Sequence, residues 1–163
     1  MISRDDFLKG RDKAYAAEFT PEISAECDRT IAAANLAVTL YLTDNPDAEH
    51  PHCNSGWRPR EINKTTPGAA PMSRHMRGQA IDLGDTADRR FAIWCLKNRE
   101  RLKSCGIYAM ERPEACVLVD AKGNKVFWVH LQTVTPGSGV FVFWPTDAAL
   151  LAWQKSGEPL LVG

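Results

Sequence analysis

Three residues in this sequence carry side chains that can bind a metal ion through nitrogen or oxygen and fall in a suggestive order. His75 and Asp82 lie in Ser73–Arg74–His75–Met76–Arg77–Gly78–Gln79–Ala80–Ile81–Asp82, and His130 follows in Trp128–Val129–His130. A catalytic zinc ion takes three protein ligands and leaves one position open, and imidazole and carboxylate both suit it. His75 and Asp82 are seven apart, whereas ligands on one helix face are three or four apart, so the chain must turn between them. Gly78 supplies a residue that tolerates positive φ at that turn. A strand from Gln79 to Leu83 then puts Ala80 and Asp82 on one face and Ile81 on the other. The spacing alone is a weak signal. It fits a loop histidine, a strand-end aspartate and a hydrogen-bonded core histidine as well as it fits three ligands.

The rest of the chain must bring those segments together. Its 163 residues make one domain (1–163), large enough to bury about two-thirds of its unfolded surface. A helical segment occupies 1–45. Ser3 caps a short helix running to about Lys9, with Gly10 ending it. Thr20 followed by Pro21 opens a longer amphipathic helix whose apolar stripe is Ile23, Cys27, Ile31, Ala34, Val38 and Leu42. Asn45–Pro46 ends it. A loop-rich stretch, 46–72, holds a short strand at 54–59 and a helical turn at 60–63. A second helix, capped by Thr86 or Asp88, runs to about Lys103 on the stripe Phe91, Trp94, Cys95, Asn98 and Leu102. Strands follow at 107–110, 116–119, 125–131 and 140–143. The middle two flank the hairpin turn Asp120–Ala121–Lys122–Gly123–Asn124, and a short helix is expected around Leu150 to Lys155. Helices first and strands later predict an α+β fold, with helices packed on one face of a central, mainly antiparallel sheet.

Composition narrows the functional classes. Twenty basic and twenty acidic residues cancel, so no broad field favours nucleic acid or an anionic membrane surface. No apolar run has the length of a transmembrane helix. The acidic start of the chain does not read as a signal peptide, so cytoplasmic synthesis is expected. Five cysteines without paired spacing, Cys27, Cys53, Cys95, Cys105 and Cys116, read as small buried hydrophobes. His50 and His52 beside Cys53 match no standard metal spacing and fall in an exposed loop.

The order Ser73-x-His75-x-x-Gly78-x-Ala80-x-Asp82, with Ser55–Gly56–Trp57–Arg58–Pro59 before it and Trp128-x-His130 after it, resembles the zinc D-Ala-D-Ala carboxypeptidases. That family includes phage endolysin peptidases and shares its fold with the hedgehog signalling domain. The likeness covers 54–132, roughly half the chain. It implies a hedgehog/DD-peptidase-like fold and a Zn2+ ion held by His75, Asp82 and His130. It also implies an active-site arginine at Arg58, which binds substrate or stabilises the transition state, and a substrate-holding serine at Ser73. The implied activity is hydrolysis of peptide bonds in peptidoglycan stem peptides, by a monomer acting at the bacterial cell wall after phage-type release or delivery. One departure matters. Several members place a glutamate three residues before the last histidine as general base, and here that position is Phe127. Glu111, at the end of the 107–110 strand, resembles the glutamate that phage-type members carry there, and residues 112–127 would then be an inserted hairpin. Asp120 is the second candidate. If no acid reaches the metal, the domain is a zinc-binding or virion structural module without turnover.

Overall fold

The computed structural model describes residues 1–135 and 141–144. The helix expected around Leu150 to Lys155 lies outside them.

Ser3 caps α1 (Arg4–Leu8) through a reciprocal box. Its hydroxyl accepts the Asp6 N–H at 3.1 Å, and the Asp6 carboxylate accepts the Ser3 N–H at 2.8 Å. Gly10 does more than end this helix. At φ 71° it also opens α2 (Arg11–Ala14), which the sequence pattern misses. The Thr20 hydroxyl accepts the Ile23 N–H at 3.3 Å and starts α3 (Pro21–Asp44). The fully buried face of α3 is Cys27, Thr30, Ala33, Ala34, Ala37, Val38 and Tyr41, while Ile23, Ile31 and Leu42 flank it half-buried. Small alanines let this long helix lie close to its neighbours, so the packed face follows side-chain size as well as hydropathy.

The remaining elements are β1 (Cys53–Ser55), α4 (Arg60–Thr65), a 3-10 turn at Arg74–Arg77, β2 (Ala80–Asp85), α5 (Arg90–Lys97), α6 (Arg99–Ser104), β3 (Ala109–Glu111), β4 (Val117–Val119), β5 (Lys125–Gln132) and β6 (Val142–Trp144). One helix expected over 86–103 is two. The chain breaks at Asn98, whose φ is −116° and whose side-chain amide donates to the Trp94 carbonyl at 2.9 Å. That local bond competes with continued helix, as asparagine does when it can reach nearby backbone. The start of α5 is set by Asp85, ahead of both expected caps. Its carboxylate accepts N–H groups of Thr86, Phe91 and Ala92 at 2.9–3.2 Å.

The sheet runs β1-β2-β5-β3-β6, with β4 paired to β5 as well. All pairings are antiparallel except β3 with β6. The fold is therefore α+β, with a mainly antiparallel sheet. Successive side chains of a strand alternate between faces, and here the alternation divides the roles. Ile81, Leu83, Met110, Val129 and Leu131 join one buried cluster with Phe7, Cys27, Ala37, Phe91 and Leu102 from the helices. The opposite face of β5 carries Val126, Trp128, His130 and Gln132, which line a cleft.

Arg89 ties the β4–β5 hairpin to the start of α5. It is buried, has φ 57°, and donates to the carbonyls of Pro113, Cys116 and Trp128 at 2.9–3.1 Å. Its Nε lies 3.7 Å from the Asp85 carboxylate, and its guanidinium covers the Phe127 ring. Arg89→Met removes three buried hydrogen bonds and the cation beside a buried carboxylate. It is expected to destabilise the fold by roughly 3–5 kcal/mol, the range for breaking a buried pair from one side, as read by urea denaturation.

Candidate metal centre

His75 occupies the 3-10 turn, and every neighbour of that turn constrains it. The Ser73 hydroxyl accepts the His75 N–H at 3.4 Å at the turn's start. Gly78 ends the turn at φ 71° and donates to the His75 carbonyl at 3.1 Å. A side chain at position 78 would put its Cβ 2.7 Å from Cys27 Sγ and 3.0 Å from the Ile23 carbonyl of α3. Glycine is thus required twice, by conformation and by the approach of the long helix. The Thr30 hydroxyl donates to the Gly78 carbonyl at 2.6 Å and lies 3.0 Å from the Thr133 hydroxyl, just beyond β5. From the other side, Arg58 N–H donates to the His75 carbonyl and Trp57 Nε1 donates to the Met76 carbonyl.

Asp82 and His130 stand directly opposite each other on β2 and β5. The antiparallel register therefore puts both side chains on the cleft face without help from any loop. His75 comes down beside them. Its Nε2 is 3.2 Å from Asp82 Oδ2 and 3.2 Å from His130 Nδ1, and His130 Nδ1 is 2.7 Å from Asp82 Oδ1. Metal–ligand bonds of 2.0–2.1 Å at tetrahedral angles place ligand atoms roughly 3.3 Å apart, so the trio has about the size of one face of such a site. Among the described residues, these three form the group that could hold a metal ion. His50, His52 and Cys53 form none.

The proton count points the same way. His75 Nδ1 is 2.7 Å from the Gly56 carbonyl, which can only accept, so Nδ1 carries the hydrogen and Nε2 presents a lone pair. Burial pushes the pKa of His75 down, and Asp82 opposes it through its charge and a hydrogen bond. Burial alone would raise the Asp82 carboxyl. His75 and His130 outweigh it and hold Asp82 well below the usual carboxylate range. With the His75 ring neutral, a nitrogen lone pair faces an anionic oxygen across 3.2 Å. Either a proton on Nε2 or a metal ion beside both atoms relieves the repulsion of two acceptors at that distance, and a donor set of two imidazoles and a carboxylate fits a divalent metal ion.

The cleft, about 1060 Å³, gathers the other sequence candidates. Arg58 and Ser73 line it, with Arg58 Nη2 donating to the Ser73 hydroxyl at 3.3 Å. Arg58 is buried, which lowers its pKa, and its Nε has no hydrogen-bond partner. Glu111 lines the cleft at the end of β3, one residue past the Met110–Leu131 pair, where the antiparallel register continues opposite His130. Burial raises its pKa, His130 draws it down, and Asp82 pushes it up. Asp120 is elsewhere. Its carboxylate accepts the N–H groups of Lys122 and Asn124 within the exposed hairpin turn. Trp128 is a cleft wall, whereas Trp57 is wholly buried. Arg74, Arg77 and Lys9 add positive charge to the rim.

Two participants escape a reading of the sequence. The Gly56 carbonyl orients His75, and no side-chain pattern marks a carbonyl. Gln132 has its amide nitrogen 3.0 Å from His130 Nε2. The period-two rule would have found it, since it stands two residues beyond His130 on the same face.

No protein-family model, no curated protein and no solved structure matches the chain.

Purified protein is expected to bind about one divalent metal per chain, and His75→Ala and Asp82→Ala are each expected to abolish that binding in equilibrium dialysis. Full occupancy in both variants would overturn the assignment. Glu111 makes a pH-dependent forecast for chelated protein. Its raised folded pKa means that folding favours the protonated acid, so wild type loses stability as pH rises from the ordinary glutamate value through the folded one. Glu111→Gln should therefore melt higher than wild type at pH 7, with the difference closing at pH 4 and below.

Proposed function

We propose that this protein is a zinc-dependent metallopeptidase that cleaves peptide bonds in peptidoglycan stem peptides, as a carboxypeptidase or an endolysin-type endopeptidase. The observation that carries the reading is that five of the expected residues line one cleft and the sixth, His75, reaches two of them from the buried side. His75, Asp82 and His130 converge within ligand distance, and Glu111, Arg58 and Ser73 line the same space. These are the residues singled out by the resemblance to the zinc D-Ala-D-Ala carboxypeptidases. The α+β sheet with its metal trio on one face accords with a hedgehog/DD-peptidase-type fold.

A zinc ion bound there supplies Lewis acidity to the scissile carbonyl and lowers the pKa of an attacking water. Glu111 takes the proton from that water and hands it to the leaving amine. Arg58 lines the cleft with its Nη2 donating to the Ser73 hydroxyl, and it offers its guanidinium to the negative charge that develops on the carbonyl oxygen or to a substrate carboxylate. The basic rim of Lys9, Arg74 and Arg77 favours an anionic peptide. Such a substrate places the protein's work at the bacterial cell wall, after phage-type release or delivery.

A second reading has its own support. Phe127 stands where several members of that family carry their catalytic glutamate. A zinc-stabilised binding or virion structural module of the same fold would keep the trio and omit turnover.

Zinc-loaded protein incubated with purified peptidoglycan separates the two. The peptidase reading expects new free amino groups or free D-Ala, and a loss of roughly 10²–10⁴-fold in Glu111→Gln, the usual contribution of a general acid–base residue. Absence of any product from fully loaded wild type would leave the module. Full activity in Glu111→Gln would move the base elsewhere.

A further inference from the structure

His130 has two ring nitrogens, and the structure gives each a different neighbour. Nδ1 faces the trio, 2.7 Å from Asp82 Oδ1. Nε2 faces Gln132, whose amide nitrogen is 3.0 Å away. A neutral imidazole carries one hydrogen, so one nitrogen donates and the other accepts. An amide nitrogen only donates. As arranged, Gln132 donates to His130 Nε2, and His130 Nδ1–H donates to Asp82. That chain of bonds is complete, but it places a hydrogen on the nitrogen that would have to bind a metal ion.

The opposite arrangement needs one small movement. A half-turn of the Gln132 amide about its terminal bond exchanges oxygen for nitrogen at nearly constant shape. Oε1 then accepts from His130 Nε2–H, and Nδ1 turns a lone pair into the trio. Net charge and backbone are unchanged. We propose that Gln132 is a positioning residue that selects the hydrogen-bearing nitrogen of His130, with its amide turned one way in metal-free protein and the other way in metal-loaded protein. Ligating histidines generally depend on such an outer partner for their orientation.

Glutamine suits this position because it offers both a donor and an acceptor. A glutamate could serve only the loaded state. In metal-free protein it would add a third carboxylate to a face that already carries Asp82 and Glu111. A hydrocarbon would serve neither state.

The inference rests on the trio holding a metal, and it is independent of peptide hydrolysis. The test is long-range 1H–15N correlation NMR on protein labelled with 15N-histidine, held at fixed pH above the titration of the rings. His130 signals are assigned by their loss in His130→Gln. Metal-free wild type should show the hydrogen on Nδ1, and zinc-loaded wild type should show it on Nε2. Gln132→Leu should bind zinc 10–100-fold more weakly, the usual effect of losing an outer partner, with an unchanged circular dichroism spectrum. Gln132→Glu should restore zinc affinity to within a few fold of wild type and carry the hydrogen on Nε2 even without metal. A purely structural role predicts that Leu and Glu fail alike. Hydrogen on Nε2 in metal-free wild type, or wild-type zinc affinity in Gln132→Leu, overturns the proposal. If wild type binds no zinc, the metal assignment fails with it.

Discussion

The pairing of β2 with β5 is the constraint on which the site depends. It sets Asp82 opposite His130, and a shift of one residue in that register would turn one of the two into the core. The register is held from the core side. Ile81 and Leu83 on β2, and Val129 and Leu131 on β5, are buried among residues of the helices, so slippage of either strand would expose two apolar side chains and bury a polar one. Core packing and metal geometry are thus the same fact seen from two faces of one sheet.

The third donor comes from outside the sheet, and its position is secured differently. His75 hangs from the Gly56 carbonyl by its Nδ1, while α3 closes the turn behind it through Thr30 and through the space that only glycine leaves at position 78. The long helix supplies none of the three donors. It decides where the turn can be. Arg58 and Trp57 reach the same turn through their own hydrogen bonds, so the arginine of the cleft and the histidine of the trio are placed by one clamp.

Much of this was legible in the sequence because it follows local rules. Thr20–Pro21 announced α3, Gly78 announced a turn, and strand alternation put Asp82 away from Ile81. The trio itself was suggested by residue type and order, and by a resemblance that runs through them. What was not legible depends on long-range geometry or on competition between local choices. Asn98 sits in an apolar period that continues past it, and only its bond to Trp94 shows why the helix stops. Asp85 displaced Thr86 and Asp88 as the cap because its carboxylate reaches three N–H groups at once. Asp120 was the second candidate for the general base, yet a hairpin turn uses its carboxylate. Glu111 was better placed for a simple reason: it ends a strand that lies beside β5.

The spread of the trio along the chain has a consequence for biosynthesis. His75 and His130 are 55 residues apart, and the Thr30–Thr133 contact behind them closes a loop of 103. During synthesis, His75 and Asp82 leave the ribosome well before β5 does. Until β5 arrives, the two have no third donor and no strand to hold Asp82 in register. The trio therefore cannot assemble before β5 has emerged and paired with β2, and an occupied site would mark a chain in which that pairing is in place.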